Sequence, residues 1–251
     1  MIRKMDGFAV VTGSARGLGA AMVRQLAQEG YDVVINHVSD SSQSKAAALA
    51  EEVKTEYGVK AVVVQGDVSS YENCEKLVAA GEETFGSKLA VFVSNAGIQN
   101  LKMFHDLSQA EYEHVINVEL LGAMHCAHVA IPRMQRAKEG CLVFITSIAG
   151  LYGQTLEADY SAAKDGMHGL MRALARENAE CNVRVNCIAP GNIETEIFNN
   201  VPEGLLKQVI ESIPMKRLGQ PEDVAECLSY VINAPYLTGQ IISPNGGSAM
   251  Y

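Results

Sequence analysis

Seven short apolar runs recur along this chain, at residues 8–12, 33–36, 61–65, 89–94, 141–146, 183–188 and 240–243. Segments with helical spacing fill the gaps between them. Apolar runs of this length without polar alternation suit strands buried on both faces. In the first gap Leu18, Met22 and Leu26 recur at four-residue steps, and Gly30 is placed to end that helix. Residues 45–57 stop before Gly58, and residues 71–85 stop before Gly86. Ser108 and Glu111 have the spacing of a capping box, and Pro221 suits the first turn of a late helix. Strand–helix alternation of this kind predicts an α/β fold, a doubly wound parallel sheet of about seven strands with helices on both faces. No linker, repeat or low-complexity stretch interrupts it, so residues 1–251 read as a single domain.

With 48% apolar and 20% charged residues the chain can build a sizeable core. A net charge of -9 argues against a nucleic-acid partner, which needs clustered basic residues. The six cysteines contain no C-x-x-C pair, which suits reduced, buried thiols and a cytoplasmic location. No apolar run approaches the ~18 residues of a membrane span. Arg3 and Lys4 precede an apolar stretch too short for a secretion signal.

Thr12-Gly13-Ser14-Ala15-Arg16-Gly17-Leu18-Gly19 follows the first strand and opens the first helix. Amides at a helix start, with the helix dipole, favour a pyrophosphate. The glycine spacing differs from the commoner G-x-G-x-x-G fingerprint, so the strand–turn–helix context carries the dinucleotide reading. Tyr160 and Lys164 lie one helical turn apart on one face. A phenol titrates at about pH 10, and a nearby ammonium favours its phenolate. Such a tyrosine can pass a proton to or from an alcohol oxygen. Ser147 lies thirteen residues upstream of Tyr160.

Thr12-Gly13-x-x-x-Gly17-x-Gly19, Ser94-Asn95-Ala96-Gly97, Ser147, Tyr160-x-x-x-Lys164 and Pro190-Gly191 occur in the order seen in short-chain dehydrogenase/reductases, which the whole chain resembles. The run from Arg217 to Ala225 and the ending Asn245-Gly246-Gly247 are similar to the 3-oxoacyl-(acyl-carrier-protein) reductase branch. The resemblance implies a Rossmann-like fold and a ketone–alcohol oxidoreductase. It implies that Gly13, Ser14, Arg16, Gly17, Leu18 and Gly19 line the cofactor phosphates, that Asp67 and Val68 flank the adenine, and that Asn95, Ala96 and Gly97 touch the adenosine ribose. It further implies that Pro190, Gly191, Ile193 and Thr195 hold the carboxamide, that Ser147 orients the substrate oxygen, and that Tyr160 is the acid/base. Lys164 would hold the nicotinamide ribose and lower the tyrosine pKa. Many members carry an asparagine in the helix before strand five, whose carbonyl holds a water near the lysine. Alignment on Leu120 and Gly122 places Glu119 there, as a fourth catalytic residue, and a register slip of two would restore Asn117.

Strand two ends Asn36-His37-Val38-Ser39, with His37 where a carboxylate would hold a free ribose 2′-hydroxyl. Arg16 could face a 2′-phosphate, with Asn36, His37 and Ser39 as polar partners. NADP(H) is therefore preferred, with NAD(H) possible. No metal is expected, since His125 and His128 share a helix face but not a ligand set. Residues 192–215 form the expected substrate loop, with Phe198, Val201, Leu205, Leu206, Ile210 and Met215 as an apolar wall or as packing for its helices. An acyl-thioester substrate fits the resemblance, and Lys138 matches a basic position used toward an acyl carrier. Cys181 and Glu157 do not favour an acidic carrier, which keeps a ketoreductase of small molecules or steroids open. A non-catalytic dinucleotide sensor is disfavoured because such proteins commonly lack the Tyr/Lys pair. The family commonly forms tetramers, and the small and apolar residues of 158–180 suit a second buried helix face.

Overall fold

The computed structural model describes residues 5–196 and 202–250. Seven parallel strands form one sheet in the order β3-β2-β1-β4-β5-β6-β7. They are β1 (Phe8–Val11), β2 (Asp32–His37), β3 (Ala61–Gln65), β4 (Leu89–Ser94), β5 (Gly140–Ile145), β6 (Val183–Ile188) and β7 (Ile241–Ile242). Every residue of β1, β4, β5 and β6 is buried, as unalternating apolar runs require of a sheet covered on both faces. The last strand is two residues long, shorter than its apolar run.

One face carries α1 (Gly17–Gln28), α2 (Asp40–Tyr57) and α9 (Pro221–Asn233); the other carries α3 (Tyr71–Phe85), α5 (Gly122–Ala137) and α7 (Ala158–Asn178). Short helices α4 (Gln109–Ile116), α6 (Ala149–Tyr152) and α8 (Glu203–Ser212) complete the chain. The capping box at Ser108 and Glu111 is present, and Pro221 opens α9. Helix α2 begins five residues before the expected 45, because Ser39 breaks the strand and Asp40 suits a first turn. Between α4 and α5 a π-helical turn, Asn117–Leu121, inserts an extra residue per turn. The continuous stretch Gln109–Ala137 is long and apolar enough to cross a membrane by length and composition, yet 56% of its most apolar window is buried inside the fold.

The strand order reverses between β1 and β4. That opens a crevice at their carboxyl ends, where open α/β sheets bind ligands.

Candidate active site

The glycine turn is welded to the sheet from below. Ser14 is fully buried; its hydroxyl donates to the Val11 carbonyl at 2.7 Å and accepts from the Asn36 amide at 3.0 Å. The Asn36 side chain accepts from Gly13 N at 2.8 Å and donates to the Gly66 carbonyl at 2.9 Å. Ser14 and Asn36 therefore hold the turn in place, with their polar groups spent internally. Asn95 does the same from β4, donating through Nδ2 to the Thr12 carbonyl at 2.8 Å, while Thr12 Oγ1 accepts from the Asn95 and Ala96 amides. Thr12 has no conspicuous sequence signal beyond its place in the motif.

Gly13 has φ +61°, and a Cβ there would lie 2.8 Å from Ala96 Cα. At Gly19 a Cβ would lie 2.5 Å from the Gly13 carbonyl oxygen. Only glycine lets these backbones approach. Helix α1 has no side-chain N-cap and no acidic residue in its first turn, so its first amides are left for an anion in the crevice.

The crevice is a cleft of about 920 Å³. It is lined by Gly13, Arg16, Gly17, Leu18 and Gly19 from the turn, by Asn36, His37 and Ser39 after β2, and by Asp67 and Val68 after β3. Asn95, Ala96, Gly97 and Thr195 complete the predicted set along it. Lys45, Ser42 and Glu196 also line it, and sequence reasoning missed them. His37 is buried, and its Nδ1 lies 3.0 Å from the Ser39 carbonyl. A glycine turn, a helix start and a cleft of this size fit a nicotinamide dinucleotide.

Ser147, Tyr160, Lys164, Pro190, Gly191 and Ile193 are not among the residues lining that cleft; they group after β5 and β6 and on α7, joined to the cleft floor at Gly97 and Ile98 through Glu119. Lys164 Nζ donates to the Ile145 carbonyl at 2.9 Å and sits 5.2 Å from the Tyr160 ring centre. Ser147 follows β5, and its hydroxyl accepts from Ala149 N at 3.1 Å. Gly191 is pressed against Asn245, and Pro190 accepts from Ile148 N at 3.1 Å, which ties this end of β6 to the Ser147 turn. Ile193 packs its side chain into the core, so only its backbone can face a carboxamide. Asp159 is buried beside Tyr160; it accepts from Asn100 Nδ2 at 3.1 Å and from Tyr160 N at 2.9 Å, a support that the sequence did not signal.

The π turn decides between Glu119 and Asn117. Asn117 is exposed, and Glu119 is buried and faces the lysine. Its Oε2 lies 2.7 Å from Lys164 Nζ, both side chains nearly inaccessible at 1% and 4% exposure. Oε1 accepts from Ile98 N at 2.8 Å. The Oε2 contact is off the axis of a hydrogen bond, so it acts as a charge contact. A Cβ on Gly97 would lie 2.4 Å from Glu119 Oε1, which links the cleft floor to the pair.

Burial pushes the Glu119 carboxyl up despite Lys164. Lys164 is pulled down by burial, but Glu119 and then Tyr160 lift it above its ordinary value, so it stays charged. The expected lowering of Tyr160 is overturned. Burial raises it, Lys164 lowers it, and the carboxylates of Glu119 and Glu157 raise it again, so the phenol sits above its ordinary value. Lys164 acts in the expected direction and is outweighed.

The His125 and His128 rings both pack edge-on to Tyr71, and His125 Nδ1 lies 3.1 Å from the Val68 carbonyl. In the substrate loop Phe198 and Val201 lie outside the described residues. Leu205 and Met215 are exposed, Leu206 and Ile210 are partly so, and no described residue of α8 is buried. A second apolar rim, missed in the sequence, carries exposed Leu101 and Met103 on the loop after β4, Tyr152 at the end of α6 and Leu156 beyond it; Lys102 N donates to the Leu156 carbonyl at 3.0 Å.

A dinucleotide cleft at the switch point of a parallel sheet, with a serine, a tyrosine and a lysine grouped behind its floor, defines an oxidoreductase of the doubly wound class. The chain belongs to the short chain dehydrogenase family, whose sequence profile matches residues 7–205, and it acts on a CH–OH/C=O pair. It is 36% identical over 248 residues to the 3-oxoacyl-(acyl-carrier-protein) reductase of Staphylococcus epidermidis, covering 98% of this chain and 100% of that protein. It is 39% identical over 246 residues to the acetoacetyl-CoA reductase of Rhizobium meliloti, covering 97% of this chain and 98% of that protein. The acetoacetyl-CoA reductase of Shinella zoogloeoides is similar at 38% identity over 246 residues, 97% of this chain and 98% of that protein.

Proposed function

We propose that this protein is a cytoplasmic NADPH-dependent reductase of 3-oxoacyl thioesters, with Tyr160 as the proton donor. The observation that carries the reading is the grouping of Tyr160, Ser147 and a charged Lys164, tied to the cleft floor through Glu119. Bound NADPH supplies the hydride to the carbonyl carbon. Tyr160, held neutral by burial and the nearby carboxylates, gives its proton to the forming alkoxide oxygen. The Ser147 hydroxyl shares that oxygen, and the Lys164 ammonium, fixed by Ile145 and Glu119, supplies positive charge where negative charge develops. His37 in place of a carboxylate, with Arg16 and Lys45 along the cleft, favours a 2′-phosphate.

The relatives named for 3-oxoacyl-carrier and acetoacetyl-CoA reduction support a thioester substrate, and the apolar rim of Leu101, Met103, Tyr152 and Leu156 suits an acyl chain. The half-buried Glu157 near that rim favours the carrier-free thioester over an acidic carrier protein. Oxidation of NADPH followed at 340 nm tests the reading with acetoacetyl-CoA, the same acyl group on acyl carrier protein, and small and steroid ketones. Turnover confined to the ketones overturns the thioester reading.

A further inference from the structure

Glu196 is held by two cations from separate elements. Arg16 Nη1 reaches its Oε2 from the glycine turn, and Lys45 Nζ lies 2.7 Å from its Oε1 from α2. All three side chains line the cleft and are open to solvent, at 63% for Arg16, 51% for Lys45 and 46% for Glu196. Beside them, at the start of α2, Ser39 Oγ lies 2.9 Å from Ser41 Oγ and 3.1 Å from Ser42 Oγ, and Ser39 gives the helix no side-chain cap. Two cations hold one carboxylate, and three hydroxyls at a helix start line the same cleft, an arrangement that matches a phosphate monoester in charge and donor set. Lys45, then Arg16, holds the Glu196 carboxyl below its usual range.

We propose that Glu196 is an internal competitor for the adenosine 2′-phosphate, occupying Arg16 and Lys45 until the phosphate displaces it. The inference rests on the NADPH reading and adds Lys45 as the second cation of the phosphate subsite. Glu196 lies within the 192–215 substrate loop. Its displacement therefore removes the two ion pairs that join Glu196 to the glycine turn and to α2. Exposed ion pairs are weak, so the competition is worth roughly three- to thirtyfold in affinity.

Calorimetric titration of the whole protein with adenosine 2′,5′-bisphosphate and with 5′-AMP, at one ionic strength, tests this without turnover. Glu196→Gln should tighten the bisphosphate by roughly three- to thirtyfold and leave 5′-AMP unchanged. Lys45→Ala should weaken the bisphosphate alone. Glu194→Gln removes the same charge two residues away, where Glu194 accepts from Gln220 Nε2 at 2.7 Å, and should change neither ligand. Thermal melts of each variant confirm folding. If wild type prefers the bisphosphate but Glu196→Gln leaves its affinity unchanged, or tightens both ligands equally, Glu196 is not a competitor. If wild type binds both ligands equally, the NADPH reading fails and the inference with it.

Discussion

Replacing Glu119 by glutamine changes one atom type in a fully enclosed place. Both neighbours of the carboxylate are donors: the Ile98 amide at 2.8 Å on Oε1 and the Lys164 ammonium at 2.7 Å from Oε2. A carboxylate accepts from the amide and attracts the ammonium, whereas an amide has one acceptor and one donor end. Glutamine must therefore point an NH₂ either at Ile98 N or at Lys164. Breaking a buried ion pair by removing one partner costs about 3–5 kcal/mol. Lys164 keeps the Ile145 carbonyl at 2.9 Å, which puts this case near the lower end. At about 3 kcal/mol, a chain of this size should lose roughly 6–12 °C in Tm. The pH sign follows from the charges. Glu119 lifts both Lys164 and Tyr160, so its loss lowers both. Reduction needs the neutral phenol, so the limb where activity falls with rising pH should move to lower pH in Glu119→Gln. The stability contributed by the raised Lys164 is present below its unfolded pKa and is lost as pH rises through its folded one, so the variant's deficit should narrow at alkaline pH. Calorimetric melts and a pH–rate profile measure both effects. A Tm within about 2 °C of wild type, together with an unmoved alkaline limb, would refute the coupling of Glu119 to Lys164 and Tyr160.

Tyr160→Phe should cut turnover by about 10²–10⁴-fold and leave dinucleotide affinity nearly unchanged; turnover within about tenfold of wild type excludes Tyr160 as the acid. Gly97→Ala puts a methyl 2.4 Å from Glu119 Oε1, and denaturant titration should register about 1–3 kcal/mol of overpacking cost together with the alkaline-limb shift of Glu119→Gln. Glu111, lowered to about 2 chiefly by Lys102 and then by the Ser108 cap, contributes stability that is present above 4.5 and lost as pH falls through about 2. Glu111→Gln should flatten the melting temperature across that acid window, and an unchanged slope counts against the cap. Exposed Ala162, Gly169 and Ala173 on the outer side of α7 suit a homotetramer; a light-scattering mass of one 27.0 kDa chain at micromolar concentration excludes it.

What the sequence determined by itself is the scaffold, because strand and helix periods are local. Unalternating runs such as 141–146 and 183–188 suited strands covered on both faces, and β5 and β6 are buried throughout. The Ser108–Glu111 box and the glycines of the turn were readable for the same reason, since capping and positive φ act over a few residues. Side-chain partners from distant elements were decided only by tertiary structure. Helical spacing could not choose between Asn117 and Glu119, because a π turn resets the face that looks inward. Asn36 read as a phosphate partner until the fold brought Gly13 and Gly66 to its amide. Arg16 acquired Glu196 from 180 residues away. The sign of the Tyr160 shift also lay beyond the motif: Tyr160-x-x-x-Lys164 encodes the lysine's pull, but burial and the charge of Glu119 exist only once α7 and the π turn are packed.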